Sequence, residues 1–155
     1  MFNAGMALKL APLLKLENWR AASAFLKAMW AYQKGDDKSA IANFARAMRV
    51  EKVRTSENMA FYAVLMALNK RPAQEGLEMW TRVAKGEFRR DTDESRYAEA
   101  LADYWVAFLT NRDDVEDRWR NALKLRPTKG FAARELSLPS NAVDPSGSFA
   151  AANLN

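Results

Sequence analysis

AFLKAMWAYQKGDDKSAIANFARAMRV, residues 24–50, decides the fold. It reads as two antiparallel helices joined by a Gly-Asp-Asp turn. Phe25, Ala28, Met29 and Tyr32 share one face of the first helix, and Ala40, Ile41, Phe44, Ala47 and Met48 share one face of the second. Small residues on one stripe opposite large ones on the other let two helices approach closely and interlock. Gly35 supplies the left-handed backbone that ends one helix, and the following Asp supplies the oxygen that caps the next.

The same language continues on both sides. Only six Gly and five Pro stand among 155 residues, while Ala, Leu, Lys, Arg, Glu and Met abound, so helix is expected almost throughout. Upstream, Asn18 is a candidate N-cap for a helix from Trp19 to about Lys34 that is apolar nearly all round and so needs neighbours on several sides. Phe2, Met6, Leu10, Leu13 and Leu14 at helical spacing predict a capping helix over residues 1–17, with docking to a partner or a membrane surface as the alternative. Downstream, helices are expected over about 57–69, 72–85, 91–109 and 115–126. Asp91 to Glu94 would cap the third of these, and Asp113 with Glu116 form a capping-box-like pair for the fourth. Val115, Trp119, Ala122, Leu123 and Leu125 are the expected core set of that last helix. A short helix over about 129–136 precedes a Ser-, Asn-, Ala- and Gly-rich tail, residues 137–155, expected to be flexible.

Composition removes many chemistries. With no Cys there is no disulfide or thiolate, and with no His the commonest general base near neutrality and most zinc sites are missing. Asp91-x-Asp93-x-Ser95 resembles the opening of a calcium loop, but Arg96 stands where the loop needs Gly and Ala102 where it needs Glu. No phosphate-binding Gly-rich loop or nucleophile elbow appears. No catalytic residue, metal or cofactor is therefore expected. The N-terminal apolar stretch lacks the order of a secretory signal, and no apolar run is long enough to span a bilayer, so a cytoplasmic protein is expected. The net charge of +5 is unevenly spread: nine acidic and two basic side chains lie in residues 91–117, then six basic and one acidic in residues 118–136. That is a polarised surface rather than one basic face for nucleic acid.

An internal repeat emerges when the second helices of successive pairs are aligned. Ala40, Gly76 and Val115 correspond, as do Phe44, Trp80 and Trp119, and Ala47, Val83 and Ala122, at separations of 36 and 39 residues. The strings FARAM, WTRVA and WRNAL, with Pro127 closing NALKLRP, resemble the tetratricopeptide repeat family over units of about 20–54, 55–90 and 91–127. The units are longer than the family's roughly 34 residues, and Gly76 and Val115 replace its small Ala. Another stack of helical hairpins stays open.

The resemblance implies an all-α domain over residues 1–136: about seven helices stacked as antiparallel hairpins in a short right-handed superhelix, a tetratricopeptide-like α-solenoid. It also implies a concave groove that binds peptides. Carried onto this sequence, the groove positions are Phe25, Met29 and Tyr32 in the first unit, Glu57, Ala60 and Val64 in the second, and Arg96, Glu99 and Asp103 in the third. The Lys and Asn that grip a C-terminal carboxylate in one subset of the family are absent, their positions holding Phe25, Met29, Glu99 and Asp103. The expected ligand is a segment of a partner protein with apolar and basic residues, bound by a non-catalytic adaptor or chaperone-like module. A structural subunit using its N-terminal helix and tail is the alternative, and nucleic-acid binding a weaker one.

Overall fold

A computed structural model describes residues 16–140, and among these the fold is all α: seven α-helices, one 3-10 turn and no strand. Residues 1–15 of the predicted capping helix (1–17) and residues 141–155 of the predicted tail (137–155) lie outside the described residues, while Leu16 and Glu17 begin the first described helix. No helix among the described residues is long and apolar enough to cross a membrane. The chain divides into two compact units, residues 1–54 and 55–155, and the division falls where the sequence spacing ends its first repeat.

The first unit contains α1 (Leu16–Gln33), α2 (Asp37–Ala47) and the 3-10 turn Glu51–Val53. Its core is built as the spacing demands. Ala21, Ala24 and Ala28 of α1 are buried with Ala40, Phe44 and Ala47 of α2, and the rings of Phe25 and Phe44 lie 5.5 Å apart. Fully burying a side chain such as Phe44 is worth roughly 1.5–3 kcal/mol. Asp36 caps α2, its carboxylate accepting the Ser39 N–H at 3.1 Å. Asn18 does not cap α1. The helix begins at Leu16, so Asn18 lies inside its first turn and is buried there.

The second unit contains α3 (Ser56–Leu68), α4 (Ala73–Ala84), α5 (Asp93–Leu109), α6 (Val115–Leu125) and α7 (Phe131–Glu135). α5 packs against the other four helices. The spacing predicts Tyr97, Leu101, Ala102, Trp105 and Phe108 as its core set; all but the half-buried Phe108 are buried, and Ala98, Ala100 and Ala107 among them leave room for neighbours to close in. Thr55 and Thr92 cap α3 and α5, accepting the N–H groups of Asn58 and Ser95 at 3.2 and 3.1 Å.

Three expectations for this unit fail. On α6, packed chiefly against α5, only Ala122 is buried; Trp119 is half-buried, and Leu123 and Leu125 are exposed. The Asp113–Glu116 capping pair does not form, because α6 begins behind Asp114. The Asp114 carboxylate is held instead by Arg112 and Arg118, at 2.7 and 2.9 Å. The C-terminal stretch is also less of a tail than its composition suggests. Leu136, Leu138 and Pro139 are buried, the Tyr97 hydroxyl donates to Leu136 O, and the Trp119 indole N–H donates to Pro139 O, each at 2.6 Å.

Four helices end by the same device. The N–H of Asp36, Arg71, Glu87 and Arg112 returns to the carbonyl five residues back, at 2.9, 3.0, 3.3 and 2.9 Å. The residue before each takes left-handed backbone: Gly35, Lys70, Gly86 and Asn111, at φ 80°, 55°, 78° and 55°. Gly and Asn are the residues that tolerate this conformation. Lys70 does not share that tolerance and carries a Cβ penalty of about 1 kcal/mol.

Candidate functional site

The residues predicted to line one groove have unequal exposure. In the first unit Met29 is 1% exposed and belongs to the core, so it presents nothing to a ligand. Phe25 and Tyr32 are half-buried, Phe25 engaged with Phe44. The large exposed groups of α1 are others. Trp30 is 65% exposed and Trp19 42%. They stand eleven residues apart, close to three helical turns, on one strip of the helix with half-buried Leu26 between them. Lys34 Nζ sits 4.8 Å from the centre of the Trp30 ring. Leu26, Lys27, Trp30, Lys34 and Asp36 line an open depression of about 410 Å³. The eleven-residue spacing of the two tryptophans was a signal available in the sequence, masked by the apolarity of the whole helix.

In the second unit the predicted pair Glu99 and Asp103 separates. Glu99, expected to face solvent, is only 9% exposed. Its carboxylate accepts from Arg89 Nε and Nη2 at 2.9 and 2.7 Å and from Ser56 Oγ at 3.4 Å. Ser56 begins α3, so the positive end of that helix also faces the acid. Glu99 is committed to the fold. Asp103 stays half-exposed, with Arg118 Nη1 at 3.8 Å. Partial burial pushes its carboxyl above the usual range, against the pull of Arg118 and Arg112. Arg96 is exposed but bonded to Asp91 and Asp93, at 3.1 and 2.7 Å. Val64 is half-buried on α3.

Glu57, also half-buried, leaves Oε1 without a hydrogen-bond partner among the described residues. It lies near Glu94, whose carboxyl is pushed up first by burial and next by the Glu57 charge. Backbone N–H groups of Ala132 and Phe131 act against this, and they put Glu94 beside the start of α7. Gly130 (φ 100°) makes this possible, since a Cβ there would collide with Glu94 Oε1. The cleft beside this contact, about 900 Å³, is lined by acids Glu57, Asp93 and Glu94 and by bases Lys124, Arg126 and Lys129. Among the described residues no three Asp or Glu side chains gather closely enough to hold a metal ion.

A smaller and more apolar pocket, about 290 Å³, lies beside the turn between α3 and α4. Met66, Ala67, Gly76, Trp80 and Leu109 form its walls, and Lys70 and Arg71 stand at the turn. Trp80 is backed by Trp105, their rings stacked 6.2 Å apart. Arg71 is drawn toward Glu75 at 3.3 Å.

Compared with known proteins, the chain matches no family model, and no curated sequence or solved structure gives a significant match to it.

Proposed function

We propose that this chain is a non-catalytic interaction module of the cytoplasm: a tetratricopeptide-like stack of helical hairpins in a short right-handed superhelix, which binds a peptide segment of a partner protein as an adaptor or chaperone-like protein. The observation that carries the reading is the strip of Trp19, Leu26 and Trp30 on α1, the two rings 42% and 65% exposed. Large rigid aromatics on an otherwise polar surface are the usual anchors of protein recognition. The absence of Cys and His from the chain supports a binding role over a catalytic one. Glu99 no longer argues for basic residues in the ligand, because Arg89 already occupies it. The cations Lys27 and Lys34 beside Trp30 favour acidic ones instead.

The test is a Trp19→Ser, Trp30→Ser double variant. Trp30 is largely in solvent and Trp19 is partly so, and neither belongs to the buried core, so the helical circular dichroism should survive. A protein captured by the wild-type chain from its source cells, identified by mass spectrometry and then purified, should bind the variant at least tenfold more weakly. Equal titrations would remove α1 as the docking surface.

One observation favours a second reading. A solvent-facing indole with a lysine over it, on a chain of pI about 9.6, is also how a base of single-stranded nucleic acid is stacked. Titration with a dodecathymidylate at two ionic strengths separates the two. Quenched tryptophan emission and an affinity that falls steeply with salt support nucleic acid, and a flat titration dismisses it.

A further inference from the structure

The geometry points to the pocket beside the α3–α4 turn as a seat for one large apolar side chain of a partner segment, flanked in that segment by a carboxylate. This rests on reading the chain as a protein-binding module, and it assigns that module a second contact, separate from the α1 strip.

Two residues at this pocket are each the unfavourable choice for their own backbone, and they are unfavourable in opposite directions. Gly76 sits inside α4, where Ala would hold the helix better. No steric demand explains it, because a Cβ at Gly76 would meet nothing within 4 Å. What its missing side chain leaves is open space against Met66, Ala67, Trp80 and Leu109. Lys70 takes the left-handed position that ends α3, where the matching positions of α1, α4 and α5 hold Gly35, Gly86 and Asn111. Glycine here would relax the turn but remove an ammonium group from the rim of the same pocket. Local departures of this kind collect at sites that do something other than fold.

The occupant follows from size and charge. At about 290 Å³ the pocket is at the lower end of ligand sites, which run from roughly 300 to 1,000 Å³, so it suits one side chain rather than a multi-ring molecule. Its walls are apolar or aromatic. Of the two cations at the turn, Lys70 and Arg71, Arg71 is already drawn to Glu75 at 3.3 Å, and the lining itself holds no acid among the described residues. The remaining positive charge matches an acidic neighbour of the inserted side chain.

The test uses the full chain, ¹⁵N-labelled, titrated with the peptide acetyl-Asp-Phe-Asp-amide. Saturable shifts are expected at the Gly76 amide and the Trp80 indole N–H. Acetyl-Lys-Phe-Lys-amide should bind at least fivefold more weakly, and acetyl-Asp-Gly-Asp-amide should give no saturation. Gly76→Leu, whose side chain enters open space, should fold and lose the shifts at Trp80. Lys70→Gly should unfold at no lower temperature than wild type yet bind at least threefold more weakly. Unchanged binding by Gly76→Leu, a preference for the lysine peptide, or no saturation at these two resonances would overturn the proposal. If it falls while the Trp19, Trp30 double variant still loses its partner, the pocket alone is wrong. If the pocket titrates as expected and that double variant binds like wild type, the α1 surface alone is wrong.

Discussion

The two ends of α5 both bury a tyrosine, and they treat its hydroxyl differently. At the N-terminal end Tyr97 donates to Leu136 O at 2.6 Å, Glu99 is held by Arg89 and Ser56, and Glu94 lies against Gly130 at the start of α7. Every one of these contacts reaches a different segment, so this end selects which neighbours α5 takes. At the C-terminal end Tyr104 is equally buried, but its hydroxyl finds no partner among the described residues. Its surroundings are rings: Trp105 at 5.0 Å and Phe108 at 6.0 Å, with Trp80 stacked on Trp105. This end supplies bulk and little direction. The comparison teaches that one helix can divide specificity and cohesion between its ends.

The largest blow to that division should come from the aromatic end. Trp105→Ala is expected to cost about 3–5 kcal/mol in urea denaturation, the usual result of deleting a large buried ring. A loss under about 1 kcal/mol would mean that the cluster contributes no cohesion. Next in size, the two tyrosines should respond with opposite signs. Tyr97→Phe gives up a short hydrogen bond and should lose about 1 kcal/mol, whereas Tyr104→Phe removes an unsatisfied hydroxyl and should be neutral or gain up to about 1 kcal/mol. Matching signs would erase the contrast.

Gly76→Ala, beside the aromatic end, should gain about 0.5–1 kcal/mol, since its methyl meets no neighbour within 4 Å. A loss measured by thermal melting would reveal packing at Gly76 that the geometry does not contain.

The smallest expected effect is with pH, and it belongs to the polar end. Burial and the Glu57 charge raise the Glu94 carboxyl, so the folded state favours its protonated form. The stability this contributes is present below the usual glutamate range and is lost as pH rises through the raised value. Asp103 and Glu135, raised by burial, act in the same sense, and Asp114, lowered by Arg118, acts against them. Glu94→Gln should therefore flatten the dependence of the urea midpoint between mildly acidic and neutral pH. An unchanged slope would show that Glu94 does not carry it.

How much of this was legible in the sequence depended on whether the cause was local. The hairpin of α1 and α2, its Gly35–Asp36 turn and the buried stripe of α5 are written in spacing and capping chemistry, which a single helix displays on its own. The burial of Glu99 is not. A helical wheel puts it beside Asp103 on an apparently polar face. What covers it is Ser56 of α3, 43 residues away, and Arg89 from the preceding loop. The exposure of Leu123 and Leu125 failed for the converse reason: their periodicity is that of a core stripe, but α6 packs chiefly on one neighbour and buries less than its pattern offers. Leu138 and Pro139 fall in the stretch that composition marks as a tail, and only their burial and the hydrogen bonds that Tyr97 and Trp119 make to this segment show that it is held. Trp30 is exposed on a helix that is apolar nearly all round, because apolar composition says which surfaces could be buried and not which are.

Those last two bonds bear on how the protein is made. Tyr97 awaits a carbonyl 39 residues downstream, and Trp119 one that lies 20 residues downstream. On a ribosome that releases the chain from its N-terminus, the α1–α2 hairpin is complete while the second unit is still being synthesised. The polar end of α5 is not. Until Leu136 and Pro139 emerge, the Tyr97 hydroxyl and the Trp119 indole must be hydrated. A nascent chain stalled before Leu136 should thus yield to protease within the second unit and resist within the first, and a chain stalled well past Ser140 should resist in both.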